Sequence, residues 1–87
     1  LPEKYEKKVM ELNKIEECAI YFNKNNNNSF ICLFYVSKNF INKDILLGHL
    51  KKSLPKILFP KKIIRLNKLP QTKNNKVDRK LLKNYIS

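Results

Sequence analysis

Seven consecutive apolar residues, Phe30-Ile-Cys-Leu-Phe-Tyr-Val36, constrain this chain more than any other feature. The run has the length and the β-branched and aromatic content of a strand. It offers no polar side chain to turn toward water, so it predicts a strand buried on both faces. Such a strand needs neighbours in its sheet and cover above and below it. A second strand-length run, Cys18-Ala-Ile-Tyr-Phe22, lies upstream. Between the two lies Asn23-Lys-Asn-Asn-Asn-Asn-Ser29, which has no core-forming residue, so the pair reads as a hairpin.

The remaining segments supply the cover. Over residues 3–13, Tyr5, Val9 and Leu12 recur at helical spacing, with Pro2 suited to the first turn. Glu3 and Glu6 come early in this helix and Lys7 and Lys8 follow, as the helix dipole favours. Asn42 is placed to cap a second helix, with Asp44 near its positive end. Leu46, Leu50 and Leu54 form its apolar stripe, with Leu47 beside it. His49, on the flank of that stripe, is expected to be a surface residue rather than a catalyst. Pro55 ends the helix, and residues 61–66 read as a third strand with basic flanks. Leu69-Pro70 leads into a polar loop, Gln71 to Lys76. Asp78 is placed to cap a last helix whose Leu81, Leu82 and Tyr85 form one face. The expected class is α+β: a small three-stranded sheet packed by amphipathic helices, in the order α-β-β-α-β-loop-α. The place of the third strand in the sheet is left open.

At 87 residues the chain is one domain, 1–87, with a small core. No apolar run approaches the roughly 18 residues of a membrane span. The opening Leu-Pro-Glu-Lys has no signal-peptide pattern and no initiator Met, so an excised piece of a cytoplasmic protein is expected. Cys18 and Cys32 belong to no Cys-x-x-Cys pair and His49 is the only histidine, so no structural metal site is expected. A Cys18–Cys32 disulfide requires their strands to pair suitably; two buried free thiols are the favoured reading. The net charge of +12 raises the question of nucleic acid. However, the lysines are scattered, and the bias toward Lys, Asn and Ile also fits an AT-rich genome. Gly48 is the only glycine, so the GxxG loop of a KH domain is absent. The 30–36 strand also lacks the opening of an RRM signature. A small basic RNA-binding domain and a non-catalytic protein-interaction module stand as the two alternative readings.

Three spaced segments carry a resemblance. Leu54-Pro55, four further residues and Pro60 resemble the "LPxYMVP" segment of adenylate-forming enzymes. Leu69-Pro70-Gln71-Thr72 resembles their "LPLT". Thr72-Lys-Asn-Asn-Lys-Val-Asp-Arg-Lys-Leu81 resembles "TPNGKVDRKAL". Upstream, Tyr5-Glu6 and Glu17-Cys-Ala-Ile-Tyr21 resemble the family's "EIE" helix and "EAVV" strand. The chain thus resembles the C-terminal subdomain of that superfamily, which includes amino-acid adenylation domains, D-alanine–carrier-protein ligases and acyl-CoA synthetases. Asn75 stands where the family has Gly, at a position expected to need a left-handed backbone, which Asn tolerates. Lys73 replaces the family's Pro, and Ile57 and Leu58 replace its Tyr and Met.

The resemblance implies a mobile cap whose catalytic residue is Lys76, carried on the supporting loop Thr72, Lys73, Asn74 and Asn75. It implies ATP and Mg2+ in the full-length enzyme, held by a large N-terminal domain absent from this chain, and none bound by this fragment alone. The reaction implied is activation of a carboxylic acid, an amino acid foremost, and its transfer to a thiol. Asp78 is expected to be a helix cap and Arg79 a structural cation. The basic residues Lys51, Lys52, Lys56, Lys61, Lys62 and Arg65 are candidates for meeting an acidic carrier protein with phosphopantetheine, or CoA.

Overall fold

The structure, a computed structural model, describes residues 2–86. Its elements are α1 (Pro2–Val9), β1 (Glu17–Asn23), β2 (Phe30–Val36), α2 (Lys43–Lys51), β3 (Lys62–Leu66) and α3 (Arg79–Leu82). Short 3-10 turns lie at Lys56–Leu58 and Lys83–Tyr85. The class and the order of elements agree with those expected from the sequence.

The sheet order is β1-β2-β3, which puts the continuously apolar strand in the middle. β1 pairs antiparallel with β2, Ile20 opposite Leu33; β3 pairs parallel with it, Ile64 opposite Phe34. The parallel step exists because α2 lies between β2 and β3 and carries the chain back to the start of the sheet. Side chains of β2 alternate between two cores. Ile31, Leu33 and Tyr35 join Tyr5 and Val9 of α1 and Leu46 and Leu50 of α2 on one face. Cys32, Phe34 and Val36 join Ala19, Leu69 and Leu82 on the other.

The caps and stops act largely as the sequence indicates. Asn42 Oδ1 accepts from the Asp44 backbone N–H at 2.7 Å and opens α2. Leu46 and Leu50 are wholly buried, with Leu54 packed beside them. Three boundaries differ. α2 ends at Lys51, so Leu54 and Pro55 follow the helix across a turn instead of closing it. α1 ends at Val9, not near residue 13. Beyond it the backbone tightens into i→i+3 bonds, Leu12 N to Val9 O and Ile15 N to Leu12 O, both 3.1 Å. These turns steer Ile15 into the core ahead of β1. The last helix is only four residues long before it becomes 3-10. Leu82 is buried by it, whereas Leu81 is 44% exposed, and Tyr85 sets its ring edge-on to Phe34 at 6.2 Å. The expected shared face of Leu81, Leu82 and Tyr85 therefore reduces to Leu82 and part of Tyr85.

The register settles the cysteines. Cys18 lies opposite Tyr35 and Cys32 opposite Tyr21. The two pack into different faces of the sheet, and both are free thiols. Burial pushes Cys18 up to about 12, helped by the Glu6 charge and opposed by Arg79. Burial pushes Cys32 up to about 11, against the pull of Lys62. His49 is half-buried; its ring Nε2–H donates to the Lys8 carbonyl at 2.8 Å and lies 3.2 Å from Glu11 Oε1, tying α2 to α1.

Candidate active-site loop

Leu69, 1% exposed, anchors the chain after β3 to the second core. From there residues 71–77 form a small closed hairpin. Gln71 and Val77 make an antiparallel bridge. Thr72 N–H donates to Lys76 O at 2.7 Å, and Asp78 N–H to Pro70 O at 2.8 Å. At the tip, Asn75 N–H donates to Thr72 O at 3.0 Å. Asn75 then takes φ 63°, the only positive φ among the described non-glycine residues. A turn ending in one left-handed residue is a standard way to close a short hairpin, and it favours Gly or Asn at that residue. The Thr72 hydroxyl accepts from the N–H groups of Asn74 and Lys76, each at 3.3 Å.

Lys76 is therefore held at both backbone polar groups by Thr72, while its side chain is exposed. Lys73 and Asn74 are exposed as well. Asp78 Oδ1 accepts from Leu81 N–H at 3.2 Å and caps α3. Arg79 turns the other way. Its NH1 lies 2.8 Å from Glu6 Oε2 and 3.0 Å from the Ile20 carbonyl, and its NH2 lies 3.2 Å from Glu6 Oε1. The hydrogen bond to Glu6 raises the Arg79 pKa beyond its ordinary value. The sequence marks Glu6 as a first-helix residue and through its likeness to the "EIE" segment, but its partnership with Arg79 spans 73 positions and leaves no local signal.

The six candidate docking cations differ in exposure and in what they touch. Lys51, Lys52 and Lys56 are exposed. Lys61 is exposed and donates to Asn28 Oδ1 at 3.2 Å. Lys62 lies over the Phe30 ring at 6.0 Å. Arg65 is committed to the fold: its Nε donates to Ser37 O at 2.8 Å and its NH2 to Lys38 O at 3.0 Å, with Phe40 beneath it. Phe34 is wholly buried and has no face for a nucleic-acid base.

Chemically, the loop presents a cation on a fixed backbone. Among the described residues there is no group of three or more His, Cys, Asp or Glu side chains placed to hold a metal ion. Two open grooves on the surface are lined by other segments, one including Leu12, Phe40 and Ile45, the other Tyr5, Leu54 and Leu58. Neither is lined by any residue of the 71–76 loop. Fold and loop together define a small α+β domain that offers a lysine outward to solvent.

Residues 4–76 match the family described as the AMP-binding enzyme C-terminal domain, and the chain belongs to it. It is thus a C-terminal domain of the adenylate-forming ligases. Bacitracin synthase 3 of Bacillus licheniformis is 38% identical over 78 residues, which are 88% of this chain and 1% of that protein. The Mycobacterium tuberculosis fatty acyl CoA synthetase superposes with TM-score 0.86 at 17% identity, over 99% of this chain and 18% of its own. The Bacillus subtilis O-succinylbenzoate coenzyme A synthetase, in complex with ATP and magnesium ion, superposes with TM-score 0.83 at 22% identity. That match spans 94% of this chain and 17% of the synthetase.

Proposed function

We propose that this domain, residues 1–87, is the mobile cap of an ATP-dependent ligase, and that Lys76 is its catalytic residue. The observation that carries the reading is the contrast within one residue. The Lys76 backbone is locked by Thr72, yet its ammonium group reaches outward from the loop. In the reaction, a carboxylate oxygen attacks the α-phosphate of ATP and pyrophosphate leaves. Two anions must approach, and charge grows on the phosphate oxygens. A cation delivered into a closed, water-poor cleft opposes both effects where it is worth most. Lysine suits the task as a compact charge on a long stem. After the cap swings about a hinge, a thiol attacks the acyl carbon of the adenylate, forming the thioester as the acyl–phosphate bond breaks and AMP leaves with release of the thiol proton.

In this reading ATP and Mg2+ would be held by the large N-terminal domain. The acid is an amino acid in this reading, as suits the likeness to the human beta-alanine-activating enzyme, 32% identical over 81 residues. The reaction draws on ATP, which suits an enzyme of the cytoplasm. Lys76→Ala in the full-length ligase should lower pyrophosphate exchange by at least ~10²-fold, the scale for losing one preorganised transition-state contact. Thiol transfer from presynthesised adenylate should be largely spared, with unchanged circular dichroism. Unchanged exchange, or equal loss in both half-reactions, overturns the assignment.

The thiol acceptor in this reading is a phosphopantetheine carrier protein, or CoA. An acidic carrier would meet Lys51, Lys52 and Lys56, whose charges are exposed. Such steering acts on association rate and is screened, the Debye length falling from about 8 Å at 0.15 M salt to about 3 Å at 1 M. The apparent KM for the carrier should then rise steeply at high salt, and that for a small free thiol should not. Equal salt responses rule out electrostatic docking.

A further inference from the structure

β1 is an edge strand, and its outer backbone groups at Ile20 face away from β2. They are not left to water. Ile20 N–H donates to Glu6 Oε2 at 2.9 Å, and Ile20 C=O accepts from Arg79 NH1 at 3.0 Å. Glu6 and Arg79 also bond each other through two nitrogens and both carboxylate oxygens. Their side chains stand where the next strand of the sheet would be. Glu6 comes from α1, which packs on one face; Arg79 comes from α3, which packs on the other. The pair thus wraps the free edge and ties the two layers together.

The tie falls beside the hairpin. Arg79 is three residues beyond Lys76, and the residues between them are held by the Gln71–Val77 bridge and by Asp78 N–H on Pro70 O. One foot of the hairpin is fixed by buried Leu69. The other continues into α3, a helix of four residues with one buried side chain. So short a helix has little area with which to fix its own place, and the Arg79 fork supplies three directed bonds instead. The choice of residue fits. The chain holds two arginines among nineteen basic residues, and a lysine ammonium could not span Ile20 O and both Glu6 oxygens with the planar fork's fixed geometry.

We propose that Glu6 and Arg79 are positioning residues for Lys76, setting where the hairpin stands relative to the sheet and so where the ammonium group arrives in the cleft. This rests on the reading of Lys76 as the catalytic residue. Neither side chain touches the reacting atoms; both act through the hairpin. The test uses the full-length ligase carrying Glu6→Gln, which keeps an acceptor for Ile20 N–H, or Arg79→Lys, which keeps the charge. Each is also combined with Lys76→Ala. Both single variants should keep the circular dichroism of the parent and be assayed well below its melting temperature.

Misplacing a reacting group by about 1 Å costs up to ~10²-fold, so a fall of about tenfold in kcat for pyrophosphate exchange is expected. KM values should stay within about twofold, since a contact made only in the transition state is what weakens. Transfer from presynthesised adenylate should be spared. In the Lys76→Ala background the same substitutions should cost little more, because residues acting through one group are not additive. Parental exchange in both single variants, equal loss in both half-reactions, or a full further loss on top of Lys76→Ala overturns the proposal. If Lys76→Ala lowers exchange and the pair variants do not, only the positioning role falls. If Lys76→Ala itself leaves exchange unchanged, the assignment of Lys76 falls, and this role with it.

Discussion

The two faces of the sheet are covered by different means. On one, α1 and α2 lay down Tyr5, Val9, Leu46 and Leu50, and side-chain bonds tie the layer across. Tyr5 OH donates to Leu58 O at 2.7 Å, and His49 joins the two helices. On the other face the cover is Leu69, Leu82 and the partly buried Val77 and Ile86, from a four-residue helix and the segments around it. The first face is secured mainly by buried area, which is non-directional and tolerant of detail, with the Tyr5 and His49 bonds added to it. The second is secured by a closed hairpin, a helix cap and the Arg79 fork, which are directional. Lys76 stands on the second. A lysine that must arrive at a defined point profits from directed bonds at its base, and the hairpin and the Arg79 fork supply them there.

The largest test of this contrast is a matched pair of deletions. Leu50 and Leu82 are both wholly buried, so their transfer terms match. Leu→Ala substitutions span about 2–5 kcal/mol according to how far the site can collapse. Leu50→Ala, between two helices, should fall in the upper part of that range. Leu82→Ala, on a four-residue helix beside the only partly buried Val77 and Ile86, should fall in the lower part. Urea unfolding of both variants checks this, and equal costs would mean that both faces are packed alike.

A smaller effect separates the faces by pH. Each carries one thiol raised from an ordinary 9.0, Cys18 to about 12 and Cys32 to about 11. A raised acid keeps its native state protonated while the unfolded chain ionises. Its contribution is therefore fully present below pH 9.0 and is lost as pH rises through the folded value. Each group adds a slope of up to about 1.4 kcal/mol per pH unit within its window. The stability difference between parent and Cys32→Ala should shrink from pH 9 and level off near pH 11. That for Cys18→Ala should go on shrinking toward pH 12. Flat differences above pH 9 would show that neither burial perturbs its thiol.

The smallest expected effect lies in the hairpin itself. Asn75 holds φ 63° without a buried side chain. Asn75→Ala should cost about 1–2 kcal/mol through the left-handed backbone alone. Asn75→Gly should stay within about 0.5 kcal/mol, because relief of the Cβ contact and added chain entropy oppose each other. Thermal melts decide between them, and an Ala variant as stable as the parent would show that the tip can change conformation freely.

The sequence by itself determined the elements and their order. Periodicity, caps and stops are local: the apolar run of β2, Asn42 before α2, Pro55 after it and Asp78 before α3 each act within a few residues of themselves. It also pointed to the Lys76 loop, because a short motif is carried by neighbouring residues, and to the left-handed need at residue 75. Tertiary structure decided what depends on residues distant in sequence. It put β3 beside β2, sent Cys18 and Cys32 to opposite faces, and drew Arg65 away to the Ser37 and Lys38 carbonyls. It joined Glu6 to Arg79 around the edge of β1. Burial and side-chain pairing are set by which surfaces meet once the chain is compact, and residue spacing does not specify those meetings.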